Sequence, residues 1–268
     1  MKLKALFLLG GLVIFTGCSS SFRGVEEIQA KGTLVVATNA EFAPFEYKEG
    51  TEYLGIDMEL IQAYATYLEV AIDIEDLDFD AALLSVSTNK ADVAIAGITK
   101  NAKREKTLSF TESYYTASQV VLVKEGSSYS HLTKDTEILK ALSDTHAKIG
   151  CQRSTTGQYY IEGDVDFEFD GIPNTSCITY DNGALAVTAL ANGQIDAVII
   201  DEAPAKMYCK KIMGVEVLDP VLTEEEYAIA VAKGNDSLVD SLNGFISQMK
   251  ENGMFESIVN KYYGQEVE

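Results

Sequence analysis

Arg104 stands five residues after Thr99, just past the apolar run Asp92–Ile98, and Asp201 directly follows the apolar run Ala197–Ile200. Both sit where a strand gives way to a loop, the place where α/β sheets carry their ligand contacts. A guanidinium is a planar fork that grips a carboxylate with two parallel hydrogen bonds, and lysine cannot reproduce that grip. A carboxylate at the end of a strand can accept from an ammonium, or it can cap the helix that follows, a use that Pro204 favours. Ser154-Thr155-Thr156-Gly157 lies between a strand and a helix, so its amides and hydroxyls can nest an anion. Taken alone, Arg104 among Lys100, Lys103 and Lys106 reads first as a solvated surface charge.

Few residues are available for anything more reactive. There are two histidines, His131 and His146, and neither sits near carboxylates in a pattern suited to acid–base work. The spacings of Cys151, Cys177 and Cys209 match no zinc or CxxC arrangement, so no metal and no cofactor is expected. The three read as small buried apolar residues, with at most one internal disulfide among them. The formal charge of −20 repels nucleic acid and anionic lipid, and lysine and arginine form no basic stretch.

Lys2 and Lys4 open the chain, Ala5–Phe15 is apolar, and Thr16-Gly17-Cys18 follows. The apolar run is about half the length of a membrane-spanning helix. Small residues before a cysteine mark a secretory cleavage site, and this one resembles the lipobox of bacterial lipoproteins. The resemblance implies a signal peptide over 1–17, lipid on Cys18 and a tether over 18–32. The mature protein would then be anchored outside the cytoplasmic membrane or in the periplasm.

Strands are predicted at Thr33–Thr38, Ala71–Ile74 and Asp92–Ile98, with helices at Asp57–Leu68 and Phe79–Val86 between them. Such alternation signals a parallel sheet covered by helices. After Gln119–Val123 and the Lys124–Ser128 break the pattern restarts. It runs through a strand at Lys148–Cys151, helices at Thr156–Glu162 and Ala184–Ala191, and a strand at Ala197–Ile200. A strand at Tyr227–Val231 and helical periodicity over Ser237–Tyr262, broken near Gly253, complete the chain. This is an α/β fold of two similar units.

The segments LVVATNAEFAPFEYKEG, DFDAALLSVSTNKADVAIAGITKNAKREKTLSFTESYY, IGCQRSTTGQYY, ALANGQIDAVIIDEAPA and MKENGMFESIVNKYYG, in that order, resemble the extracellular solute-binding proteins of amino-acid ABC importers, family 3. The resemblance implies two Rossmann-like lobes joined by two hinge strands, a flytrap of the periplasmic-binding-protein type II. The first lobe would be 33–116 plus 228–268 and the second 117–227. The crossings fall near Tyr115–Ser118 and Glu226–Ala228. It further implies a monomer that delivers a free amino acid to a permease.

By carry-over from T-x-x-x-x-R, Arg104 takes the ligand's α-carboxylate with Thr99 beside it, Asp201 takes the ammonium, and Thr156 adds a contact. Phe42 and Phe79 match the positions that sandwich the ligand's side chain, and Gly97 a backbone contact. Gln152 lines the same wall. Asn39 stands where the family often has Asp, which tilts the preference to a neutral, glutamine-like end, with a basic amino acid as the other option. Glu46 and Asp57 match family positions read as structural. The rival readings are a lyase on a small carboxylate using the same fold and a lipoprotein that presents ligand to a separate sensor.

Overall fold

Every residue of Thr33–Thr38 pairs in parallel with Ala71–Asp76, and Val36 and Ala37 pair in parallel with Val93 and Ala94 on the other side. Leu34 and Val36 are fully buried there, as expected for a β-branched run covered on both faces. The computed structural model describes residues 22–263; the signal peptide expected over 1–17 and the lipidation expected at Cys18 fall outside them. In spatial order the first sheet holds Ala71–Asp76, Thr33–Thr38, Val93–Ala94, Ala230–Ala232 and Leu108–Phe110, the last two joined antiparallel.

The second sheet repeats the plan with Ser176–Tyr180, Lys148–Gln152, Ala197–Asp201, Gln119–Lys124 and Val215–Val221. Its first three strands run parallel, and Gln119–Lys124 lies antiparallel to both of its neighbours. Between the sheets, Tyr115–Ala117 and Glu225–Tyr227 form a two-stranded antiparallel ribbon through which the chain passes out and back. The fold is therefore two α/β lobes on a pair of hinge strands. Among the described residues no helix is long and apolar enough to cross a membrane.

The strand expected over Tyr227–Val231 is divided between the hinge strand Glu225–Tyr227 and the sheet strand Ala230–Ala232, because the chain passes there from the ribbon into the first lobe. Three further segments differ from the sequence reading. The stretch expected as a polar tether forms a helix at Val25–Lys31, ended by Gly32 at φ +71°. Ile28 anchors it in the core, and Arg23 Nε donates to Asp92 Oδ1 at 2.7 Å. One buried side chain and one ion pair suffice to dock it, and a polar composition conceals both. The strand expected over Asp92–Ile98 ladders only at Val93–Ala94. Beyond that the chain turns into the cleft, because Gly97 at φ +54° cannot continue an extended strand. Third, the turn-rich stretch after Ala40 is a small antiparallel meander of Glu41–Phe42, Glu46–Glu49 and Glu52–Leu54. Its strands are too short and too exposed to show a period.

Candidate functional site

The C-terminal ends of both sheets face one small cavity, placed in the crevice where open α/β sheets bind their ligands. All nine residues singled out from the sequence line it. Asn39, Phe42, Phe79, Gly97, Thr99 and Arg104 come from the first lobe, and Gln152, Thr156 and Asp201 from the second.

Arg104 is buried, so the surface-charge reading fails for it. It rides on the short helix Ala102–Glu105, whose cap Asn101 accepts the Arg104 N–H through Oδ1 at 3.0 Å. This turn aims the side chain inward. Nη1 donates to the Thr99 carbonyl at 2.6 Å, Nη2 donates across the cleft to the Ser154 carbonyl at 3.2 Å, and the guanidinium lies 5.2 Å from the Phe79 ring centre. Burial lowers its pKa to about 10, against the opposing pull of Glu225, Tyr159 and Asp201, so it stays cationic at neutral pH. Two of the five guanidinium donors are engaged, which leaves others free for a carboxylate. The flanking Lys103 and Lys106 do face outward, and each meets an acid of the second lobe, Asp164 at 2.5 Å and Asp166 at 2.6 Å.

Asp201 ends its strand and stands at the N-cap of Glu202–Lys211, yet its side chain caps nothing. It accepts from the Tyr227 hydroxyl and lines the cavity. Burial, then the nearby charge of Glu225, raises its pKa to about 7. A buried carboxylate in this position gains most from a cation.

The Thr99 hydroxyl is committed. It donates to Glu225 Oε2 at 2.6 Å and accepts from the Thr156 hydroxyl at 3.1 Å, a relay that joins both lobes to the hinge. Sequence reading missed Glu225, because Glu224-Glu225-Glu226 resembles a solvated acidic run. Strand alternation turns only the middle residue inward, where Thr223 also donates to it at 2.8 Å. Asn39 is likewise engaged, donating to the Leu77 carbonyl at 2.8 Å and accepting from Gln152 Nε2 at 2.9 Å across the cleft.

Glu46 lines the cavity as well. Glu46 Oε2 and Asp57 Oδ1 meet no donor among the described residues, and a proton held between the two carboxyls would satisfy both. Burial, then Asp57, holds Glu46 well above the usual carboxylate range. Asp57, raised to about 6 by burial, accepts from the Gly97 N–H at 2.9 Å and the Tyr114 hydroxyl at 2.9 Å.

Gly97 must be glycine on two counts. Its φ is +54°, and a Cβ there would lie 3.0 Å from the Phe42 ring and 3.2 Å from the Tyr227 ring. Gly97→Ala should therefore push the aromatic wall into the cavity. It is expected to weaken ligand binding at least tenfold by calorimetry, and ligand affinity equal to wild type would show that the wall gives way freely.

A cavity closed between two α/β lobes on a two-strand hinge defines a two-lobed solute-binding protein. The chain belongs to the bacterial extracellular solute-binding proteins, family 3, whose family model matches residues 34–265. It is 28% identical over 271 residues to the arginine-binding extracellular protein ArtP of Bacillus subtilis, covering 98% of each chain. The crystal structure of the amino-acid ABC transporter substrate-binding protein AbpA of Streptococcus pneumoniae, bound to L-arginine, superposes with a TM-score of 0.80. The two share 30% identity, over 91% of this chain and 99% of that one. An ancestral arginine-binding protein bound to glutamine has a TM-score of 0.76 at 32% identity, over 87% of this chain and 99% of that one.

Proposed function

We propose that this protein captures a free amino acid with a basic side chain and presents it to an ABC importer permease outside the cytoplasmic membrane, tethered through Cys18. The observation behind this reading is the inward pair Arg104 and Asp201, one from each lobe, lining one cavity. Arg104 takes the α-carboxylate and Asp201 the ammonium, so closing the lobes, 33–116 plus 228–268 and 117–227, completes the grip. With Asn39 and Gln152 bonded to each other, its amide supports a neutral end less than the sequence suggested. Glu46 supplies the further polar group, and the Glu46–Asp57 pair, which carries one negative charge when it shares one proton, leaves the site one acid in excess once Asp201 is set against Arg104. A ligand with two positive groups and one carboxylate balances it. Relatives described as arginine-binding agree with this choice.

A thermal-shift screen of the twenty amino acids tests it. Arginine at a hundred times its Kd should raise Tm by ~5–10 °C, with glutamine weaker. No shift with any amino acid would remove the reading. Glu46→Gln should reduce the arginine-over-glutamine preference at least tenfold. An unchanged preference would return Glu46 to a structural role and reopen the glutamine-like alternative.

A further inference from the structure

Strands Lys148–Gln152 and Ser176–Tyr180 are parallel neighbours in the second sheet, with Cys177 in register with Ile149 and Cys151 two residues further along. Residues in register or two apart share a face of the sheet, so both thiols point to the same side. Their sulfurs are 3.3 Å apart, closer than ordinary sulfur–sulfur packing, and both are free thiols. Cys151 is fully buried, and its neighbour Cys177 is only partly covered. The site already described makes no use of either thiol. Nothing in a core of Ile138, Ile149, Ile161 and Ile199 calls for two adjoining thiols there.

We propose that Cys151 and Cys177 are an oxidisable pair, closed to a disulfide by thiol–disulfide exchange with a low-molecular-weight disulfide. Extracellular proteins work where such oxidants persist. The Cys177 thiolate, which solvent can reach, attacks the small disulfide RSSR. A Cys177–S–SR bond forms, the RS–SR bond breaks, and RS⁻ leaves with the proton that Cys177 gave up. The Cys151 thiolate then attacks the Cys177 sulfur, the protein disulfide forms, and a second RSH departs. Two protein thiols are oxidised and one small disulfide is reduced to two thiols. The contact with Cys177, then burial, raises the Cys151 thiol above its ordinary pKa, which favours Cys177 as the entry point. Capping Cys177 removes the first of those causes. The sulfurs need only come from contact to a bond of about 2.05 Å.

The loop that this bond closes contains Gln152 and Thr156 of the cavity wall, together with Asp164 and Asp166, which meet lysines of the first lobe. The staple would hold the ligand wall of the second lobe to its own edge strand. Cys209, on the helix Glu202–Lys211, serves as an internal control.

The reduced full-length protein is incubated with oxidised glutathione, alkylated, and digested without reductant for mass spectrometry. The expected product is one linked peptide pair joining residues 151 and 177, lighter by two hydrogens than its parts and separated by dithiothreitol. In Cys151→Ser, glutathione should remain attached to Cys177. In Cys177→Ser, Cys151 should stay unmodified. Recovery of alkylated Cys151 and Cys177 from oxidised wild-type protein would overturn the proposal, as would stable glutathione on Cys177 of the wild type. The oxidised protein should also melt several degrees above the reduced one, and an equal or lower Tm would reject the staple.

Discussion

Arg104→Ala is expected to weaken amino-acid binding by ~10- to 150-fold or more, because a charge-assisted pair in a dry cleft is worth about 1.5–3 kcal/mol or more. The side chain does two things at once. Its remaining donors grip the ligand carboxylate, and its Nη2 contact with the Ser154 carbonyl ties the second lobe to the first. Arg104→Lys should recover only part of the loss, since an ammonium cannot span a carboxylate and two carbonyls in one plane. The empty variant should remain folded, because truncation also removes a buried charge whose desolvation is unfavourable. Calorimetry with arginine, alongside circular dichroism of the empty protein, separates the two effects. Affinity within threefold of wild type would take Arg104 out of the site.

Asp201→Asn should weaken amino acids by an order of magnitude or more while sparing the matching deaminated acids, which have no ammonium to lose. Equal loss for both ligand sets would reject the assignment. The pH dependence gives an independent handle. With its pKa raised to about 7 by burial and Glu225, Asp201 holds its proton in the empty protein below that pH. An incoming ammonium must displace that proton, so affinity should climb by up to tenfold per pH unit from pH 5 towards 7 and level off above. Asp57, raised to about 6, and Glu46 titrate nearby, so the decisive comparison is with Asp201→Asn, in which the climb should flatten. A slope equal in both proteins would assign it to the Glu46–Asp57 pair instead.

Stability runs the other way. Because the folded-state pKa of Asp201 lies above the ordinary value of 3.8, the folded protein binds this proton more tightly than the unfolded chain does. Its contribution to stability therefore falls as pH rises from about 4 to about 7, and the cost is fully present above that window. Asp201→Asn should accordingly raise the Tm of the ligand-free protein at pH 8, even as it loses ligand. A binding site that stores an unpaired buried charge is less stable empty than full, and this difference helps drive closure on the ligand.

Much of this arrangement could be read from local pattern. The run Thr33–Thr38 is too short for a helix and too apolar for a surface, and it is the central parallel strand that such a run must be. The periodicity over Ser237–Tyr262, broken near Gly253, becomes two helices, Asp236–Glu251 and Met254–Tyr263, with Gly253 at φ +75° between them. Edge elements were not legible. Leu108–Phe110, Ser176–Tyr180, Val215–Val221 and the helix Asp135–Asp144 lie at the edges, where short length, interruptions such as Asp219-Pro220 and part-exposed faces leave no regular period to read.

By itself the sequence determined which chemical groups exist, among them an arginine in T-x-x-x-x-R and a strand-ending aspartate. It determined the repeated strand–helix order as well, since both depend on residues a few positions apart. Only the tertiary structure decided that Arg104 is buried rather than solvated, that Asp201 faces the cavity instead of capping a helix, and that Glu225 hides within an acidic run. It also decided that Asn39 is occupied by Gln152 and that Cys151 touches Cys177. Each of those outcomes depends on desolvation and on partners brought together from distant segments. Water exclusion and side-chain direction are properties of the packed lobes, and no local spacing encodes them.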